Sequence, residues 1–161
     1  MFDPMRTQSL LSTFLLISAP LVTMSAIAQP ADLDAQCNAA IEAGKTQLKE
    51  VPNLTLIQLN PWRDVSQDYS GLKPDQKPLS YAYILKGEGM QNVASSPLFM
   101  SAISANIINH CPTVSMIRFG TYASGRFVTY GLMPDGAIKA FECLGGGLGE
   151  IEKPAWGKVY C

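Results

Sequence analysis

The chain is poor in the groups on which most catalysis depends. It holds a single histidine, His110, in 161 residues. One imidazole cannot build a His-rich metal site. A Ser-His-Asp or Cys-His triad would have to use His110, whose neighbour Cys111 is expected to be oxidised. At the end of an apolar helical pattern, the ordinary role of His110 is a donor near the last helix carbonyls. Charge is scarce as well. Asp, Glu, Lys and Arg make up 16% of the residues, with a formal net charge of −1. The lysines and arginines are scattered without a basic patch, which disfavours a nucleic-acid or anionic-membrane partner. The four cysteines contain no C-x-x-C, so neither a zinc knuckle nor a thioredoxin-type motif is supported. The glycine run Gly145–Gly149 lacks the Lys-Ser/Thr of a P-loop and the second half of a dinucleotide fingerprint, and reads as a connector. No cofactor or metal is expected.

What the chain does have is a strong N-terminal signal. Leu10 to Met24 is an apolar run, followed by Ala26-Ile27-Ala28, an A-x-A type cleavage site. Residues 1–28 therefore read as a secretory signal peptide. The rival, a transmembrane anchor, needs roughly 20 apolar residues, and Pro20 interrupts this shorter run. Asp3 is unusual in a positive n-region, and Met5-Arg6 would open a more ordinary one. Cys37 lies well beyond the apolar run, so no lipobox is present. The expectation is a single domain over residues 29–161, periplasmic or extracellular, with no stable membrane span after cleavage. Four cysteines in an exported chain read as two disulfides. Three pairings are possible, and Cys37–Cys111 with Cys143–Cys161 is the expected one. Cys37 lies on the inner face of a first helix and Cys111 ends a second. Cys143 ends a strand run, and Cys161 ends a tail that can return beside it.

Leu33, Cys37, Ile41, Gly44 and Leu48 recur at helical steps behind Asp32 and Asp34, which suit a helix start. Pro52 ends that pattern. Leu54 to Leu59 is a short strand candidate. Asn60 to Pro78 has no sustained period and reads as a long loop. Ser80 to Lys86 alternates as a strand. Ser96-Pro97 opens a second helix with Phe99, Ile103 and Ile107 in its stripe, stopped at Cys111-Pro112. Val114–Tyr122, Arg126–Met133 and Ile138–Leu144 follow, joined by Ala123-Ser124-Gly125 and by the turn Pro134-Asp135-Gly136. The predicted fold class is α+β: an antiparallel sheet with a three-strand C-terminal meander, two helices packed on one face, and two disulfides. Trp156 to Cys161 is expected to return as an edge strand.

The stretches Phe127-Val128-Thr129-Tyr130-Gly131-Leu132-Met133, Phe141-Glu142-Cys143 and Trp156-Gly157-x-x-x-Cys161 resemble small exported cyanobacterial proteins of unassigned function. The likeness covers roughly the last two thirds of the mature chain, judged by where the matching phrases fall. It implies secretion and disulfides, and it transfers no catalytic residues.

Function is expected to rest on aromatic side chains. Trp62, Tyr69, Tyr122, Tyr130, Trp156 and Tyr160 are spread over loops and strands. The strand members are expected to be buried. Trp62, Arg63 and Tyr69 lie in the long loop, and Trp and Arg are enriched at binding hot spots. These three are the predicted binding anchors of a non-catalytic exported protein that binds a protein partner or cell-envelope glycan. The alternatives are a small secreted hydrolase using carboxylates, with Asp64, Asp68, Glu88 and Glu142 as candidates, or a purely structural envelope component. No catalytic residue is assigned.

Overall fold

The computed structural model describes residues 30–57, 59, 61–71, 74, 77–145 and 152–160, with residues 30–33 as backbone alone. The expected signal peptide, Cys161 and residues 146–149 of the glycine connector lie outside the described residues. The elements in chain order are α1 (Pro30–Lys49), β1 (Thr55–Ile57), β2 (Trp62–Asp64), β3 (Leu79–Lys86), α2 (Met90–Ala94), α3 (Pro97–His110), β4 (Val114–Thr121), β5 (Phe127–Leu132), β6 (Ile138–Ala140), β7 (Glu142–Leu144) and β8 (Lys158–Tyr160).

α1 opens on Pro30, ahead of both expected start residues, so Asp32 and Asp34 lie inside its first turns. The apolar stripe buries as its spacing requires. Ile41 and Leu48 enter the core, Gly44 is enclosed, and Cys37 packs half-buried against it. Tyr83 of β3 reaches across to α1, and its hydroxyl donates to the Ile41 carbonyl at 2.9 Å. α3 has Pro97 in its first turn and Ser96 at the N-cap position, as expected. The Ser96 hydroxyl makes no cap bond, however, and donates to the Asn92 carbonyl of α2 at 2.7 Å. Met100, Ile103, Ile107 and Ile108 form the buried face of α3.

β1, β3, β4, β5 and β6 are neighbours in one sheet, and β2 also pairs with β3. β4, β5 and β6 make the expected antiparallel meander, with Gly136 at φ 79° in its second turn. The centre of the sheet departs from the antiparallel expectation. β3 and β4 run parallel, with Tyr81 opposite Ile117 and Tyr83 opposite Phe119. The physical reason is the connection between them, which carries the 14-residue α3 and returns the chain to its starting end. Parallel neighbours need a crossover of about a dozen residues or more. The short α2 precedes α3 in that crossover, so three helices, not two, occur among the described residues.

One sheet face carries Tyr81, Tyr83, Leu85, Ile117, Phe119 and Tyr130, and it packs with α1 and α3 into the main core. The opposite face carries Met116, which joins Val65 and Phe141 in a second, smaller core. Tyr69, Met133, Trp156 and Val159 pack around that cluster. Phe141 also divides the expected third strand. β6 ends at Ala140, Phe141 turns its ring into the small core, and β7 pairs with β8 as a separate parallel ribbon. The tail from Trp156 to Tyr160 therefore returns beside the meander's continuation, with β8 as its strand.

Cys37 and Cys111 form a disulfide that ties α1 to the end of α3. This half of the expected pairing is observed, and it points to an oxidising compartment. The other half involves Cys161, outside the described residues. No helix among the described residues is long and apolar enough to cross a membrane.

Candidate binding site

The Asn60–Pro78 segment is more structured than its lack of period suggests. β1 and β2 share one edge of β3 in succession: Ile57 lies opposite Ile84, and Trp62 opposite Tyr81. Between those partners the edge segment has four residues and β3 has two, so the two pairings are out of step along the edge. Val65 is buried, and its N–H donates to the Pro78 carbonyl at 2.8 Å. Ser70 is laced to the C-terminal tail. Its N–H donates to Pro154 at 2.9 Å, and its carbonyl accepts from Trp156 N–H at 3.1 Å.

The far end of the segment supplies a cap that the sequence reading assigned to His110. Lys77 donates from Nζ to the carbonyls of Ile108 at 2.8 Å and Cys111 at 3.0 Å. Burial lowers the Lys77 pKa, yet the ammonium sits where a helix end favours positive charge. His110 is exposed, with Nδ1 at 2.7 Å from the Asn106 carbonyl one turn back.

The structure separates the three predicted anchors. Side chains alternate along a strand, so Trp62 and Arg63 leave β2 on opposite sides. Trp62 is on the helix side, with its ring edge-to-face with Tyr81 at 4.8 Å. It remains 39% exposed, near Leu59 at 56%. Lys45, Lys49, Leu59, Pro61 and Tyr81 line the hollow between α1 and this edge. Arg63 and Tyr69 meet on the tail side. Arg63 binds Asp68 at 2.8 Å. Tyr69 stands edge-to-face with Trp156 at 5.1 Å and with Phe141 at 5.7 Å. The indole N–H of Trp156 donates to the Leu132 carbonyl at 2.9 Å, which fixes this triad of rings.

The tail side also holds a residue that sequence reading passed over. Arg118 lies in the middle of β4, half-buried, with its guanidinium 3.9 Å from the centre of the Phe127 ring. Gly120 makes that ring position possible, since a Cβ there would stand 2.3 Å from Phe127 Cε1. Arg63, Asp68, Tyr69, Met116, Arg118 and Tyr160 line a cleft of about 270 Å³ between β2, the sheet and β8. The available signal was the lone charge in Met116-Ile117-Arg118-Phe119, since central strands rarely carry one. Burial lowers the Arg118 pKa and raises that of Tyr69. Both groups stay protonated at neutral pH, one as a cation and one as a neutral phenol.

Three of the four candidate carboxylates of a hydrolase are otherwise engaged. An Asp64 oxygen accepts from Ser66 N–H at 2.8 Å, Asp68 binds Arg63, and Glu142 lies 3.7 Å from Lys158. Glu88 is exposed in the turn after β3. Among the described residues, no group of three His, Cys, Asp or Glu could hold a metal ion. Of the strand aromatics, Tyr130 is buried and Trp156 half-buried, as expected, whereas Tyr122 and Tyr160 are exposed.

No family model, curated protein or solved structure matches this chain.

Proposed function

We propose that the chain is a non-catalytic exported protein, periplasmic or extracellular, that binds a protein partner or a cell-envelope glycan. The observation that carries this reading is the mounting of β2. Its backbone is paired to β3, so Trp62 and Arg63 are presented in fixed and opposite directions at the sheet edge. An aromatic held in place with much of its surface uncovered binds at little cost in side-chain entropy. The engagement of Asp64, Asp68 and Glu142 in turns and ion pairs favours binding over carboxylate catalysis. Cleavage after Ala28 and a second disulfide, Cys143–Cys161, belong to the same reading. The β7–β8 register supports the second bond: Cys143 lies opposite Val159, two positions before Cys161 in the sequence.

Capture from the envelope fraction tests the reading, with sedimentation on purified envelope glycan alongside it. The wild-type protein should retain a protein or the glycan, and Trp62→Ala should weaken that retention. Because Trp62 is partly exposed, its stability loss should fall short of the roughly 3–5 kcal/mol of a core Trp. Retention unchanged in both Trp62→Ala and Arg63→Ala would remove β2 from the binding surface.

A further inference from the structure

We propose that the tail-side cleft is a carboxylate site, in which the Arg118 guanidinium and the Tyr69 hydroxyl together hold one carboxylate borne on an apolar or aromatic body. The inference rests on the binding-module reading and names the ligand chemistry of one of its two faces. Two uncommitted donors meet in the cleft. Among the described residues, no hydrogen bond or ion pair holds the Arg118 guanidinium, which is fixed only by its stack on Phe127. Among the described residues, the hydroxyl of Tyr69 has only the Met116 sulfur within reach, at 4.0 Å, and a thioether is a weak acceptor. Thr129, directly across from Arg118 on the same sheet face, adds a third: its hydroxyl is buried without a partner. Buried polar groups normally have partners, so the buried Thr129 hydroxyl, beside two half-buried donors that line the cleft, marks a place where an acceptor is missing.

Charge selects the class of acceptor. Arg63 is neutralised by Asp68 at 2.8 Å. Arg118 then supplies one net positive charge to the cleft. A monoanion matches this balance, and a phosphate dianion does not. A guanidinium fork fits a carboxylate in two parallel bonds, leaving an oxygen lone pair for the phenol. The walls suit an apolar body, since Val65, Met116, Pro154 and Val159 line the same cleft. A volume near 270 Å³ admits a small acid or the end of a chain, at the low end of ligand sites, which begin at about 300 Å³. A free organic acid and a peptide C-terminus share this chemistry.

The test is an NMR titration of the full mature chain, read at the arginine Nε–H resonances. The probes are phenylacetate, its neutral analogue phenylacetamide, inorganic phosphate, and a short peptide ending in Phe with a free or an amidated C-terminus. Phenylacetate should shift the Arg118 resonance saturably, and phenylacetamide should not. Preference for the free-ended peptide over phenylacetate would assign the source to a chain end, and the reverse to a small acid. Arg118→Gln should weaken phenylacetate about tenfold or more, and Tyr69→Phe by a smaller factor, as expected for losing a charged and a neutral hydrogen bond. Tyr69→Phe keeps its ring packing, so it serves even if Arg118→Gln fails to fold. Asp68→Asn should raise the affinity for phosphate relative to phenylacetate. Equal binding of phenylacetamide, tighter binding of phosphate by the wild type, or phenylacetate affinity unchanged in Tyr69→Phe would overturn the proposal. Loss of partner retention on Trp62→Ala would leave the wider binding reading standing in any of those cases.

Discussion

Gly44 and Tyr83 should behave as one unit, and substituting both should reverse the effect of substituting one. A Cβ at position 44 would stand 2.4 Å from the Tyr83 hydroxyl oxygen and 3.0 Å from Ile103 Cγ2. The hydroxyl is held between that glycine and the Ile41 carbonyl, to which it donates at 2.9 Å. Gly44→Ala must therefore push Tyr83 away. Overpacking of this kind costs about 1–3 kcal/mol, and the displaced hydrogen bond about 1 kcal/mol more. Alanine returns about 1 kcal/mol, because glycine is a poor interior helix residue. The expected net loss is about 1–3 kcal/mol. Tyr83→Phe alone should cost about 1 kcal/mol, the net worth of its hydrogen bond. In the Tyr83→Phe background the nearest oxygen is gone, and the next contacts, at 3.0 and 3.2 Å, need only small adjustments. Gly44→Ala should there be close to neutral or slightly stabilising. A double-mutant cycle from urea midpoints measures the coupling, expected at about 1.5 kcal/mol or more. Additive effects within about 0.5 kcal/mol would show that the hydroxyl does not occupy the space against Gly44.

Three further outcomes are expected. Opening Cys37–Cys111, which spans 74 residues, should cost about 4 kcal/mol by loop-closure entropy. Melts of the Cys37→Ala/Cys111→Ala variant measure it, and a loss below about 1 kcal/mol would refute the argument; non-reducing peptide mapping of the wild type should also find Cys143 joined to Cys161. Burial raises the pKa of Tyr69, Tyr81, Tyr83 and Tyr130, so the folded state keeps phenolic protons that the unfolded chain loses near pH ~10. Their contribution is whole below that pH and is lost as pH rises above it; thermal melts up to pH ~11 should show the decline, with a shallower slope for Tyr83→Phe, and a flat profile would contradict it.

The parts of the fold written in local pattern were legible. The stripe from Cys37 to Leu48, the Pro97 start of α3 and the Pro134-Asp135-Gly136 turn depend on nearby residues, and each forms as its spacing requires. The Cys37–Cys111 bond followed from two helix positions facing one core. What escaped depended on distant partners. β2 is a three-residue strand with every side chain exposed, so it carries no burial pattern and exists because β3 offers an edge. The parallel β3–β4 pair was implied by a helix between two strands, a signal outweighed by the antiparallel turns that follow. For the site, Arg63 and Tyr69 do share one cleft, but alternation along β2 sends Trp62 to the other side. Arg118 lies in the predicted strand Val114–Tyr122, and its ring partner Phe127 comes from the neighbouring strand, which no pattern local to β4 reveals.

The parallel pair at the centre of the sheet also sets when this protein can begin to fold. α1 packs on α3 and β1, and Tyr83 of β3 bonds to its Ile41 carbonyl, so the first helix settles on elements that all follow it in the chain. Pairings so far apart in sequence are slow to nucleate. Cys37 has its native partner only once Cys111, 74 residues further along the chain, has come beside it. A chain delivered from its N-terminus would spend that interval unprotected, and an oxidant that reached Cys37 early would find Cys111 missing. Quality of folding in this domain is then a matter of timing, with oxidation rewarded only after the crossover is complete.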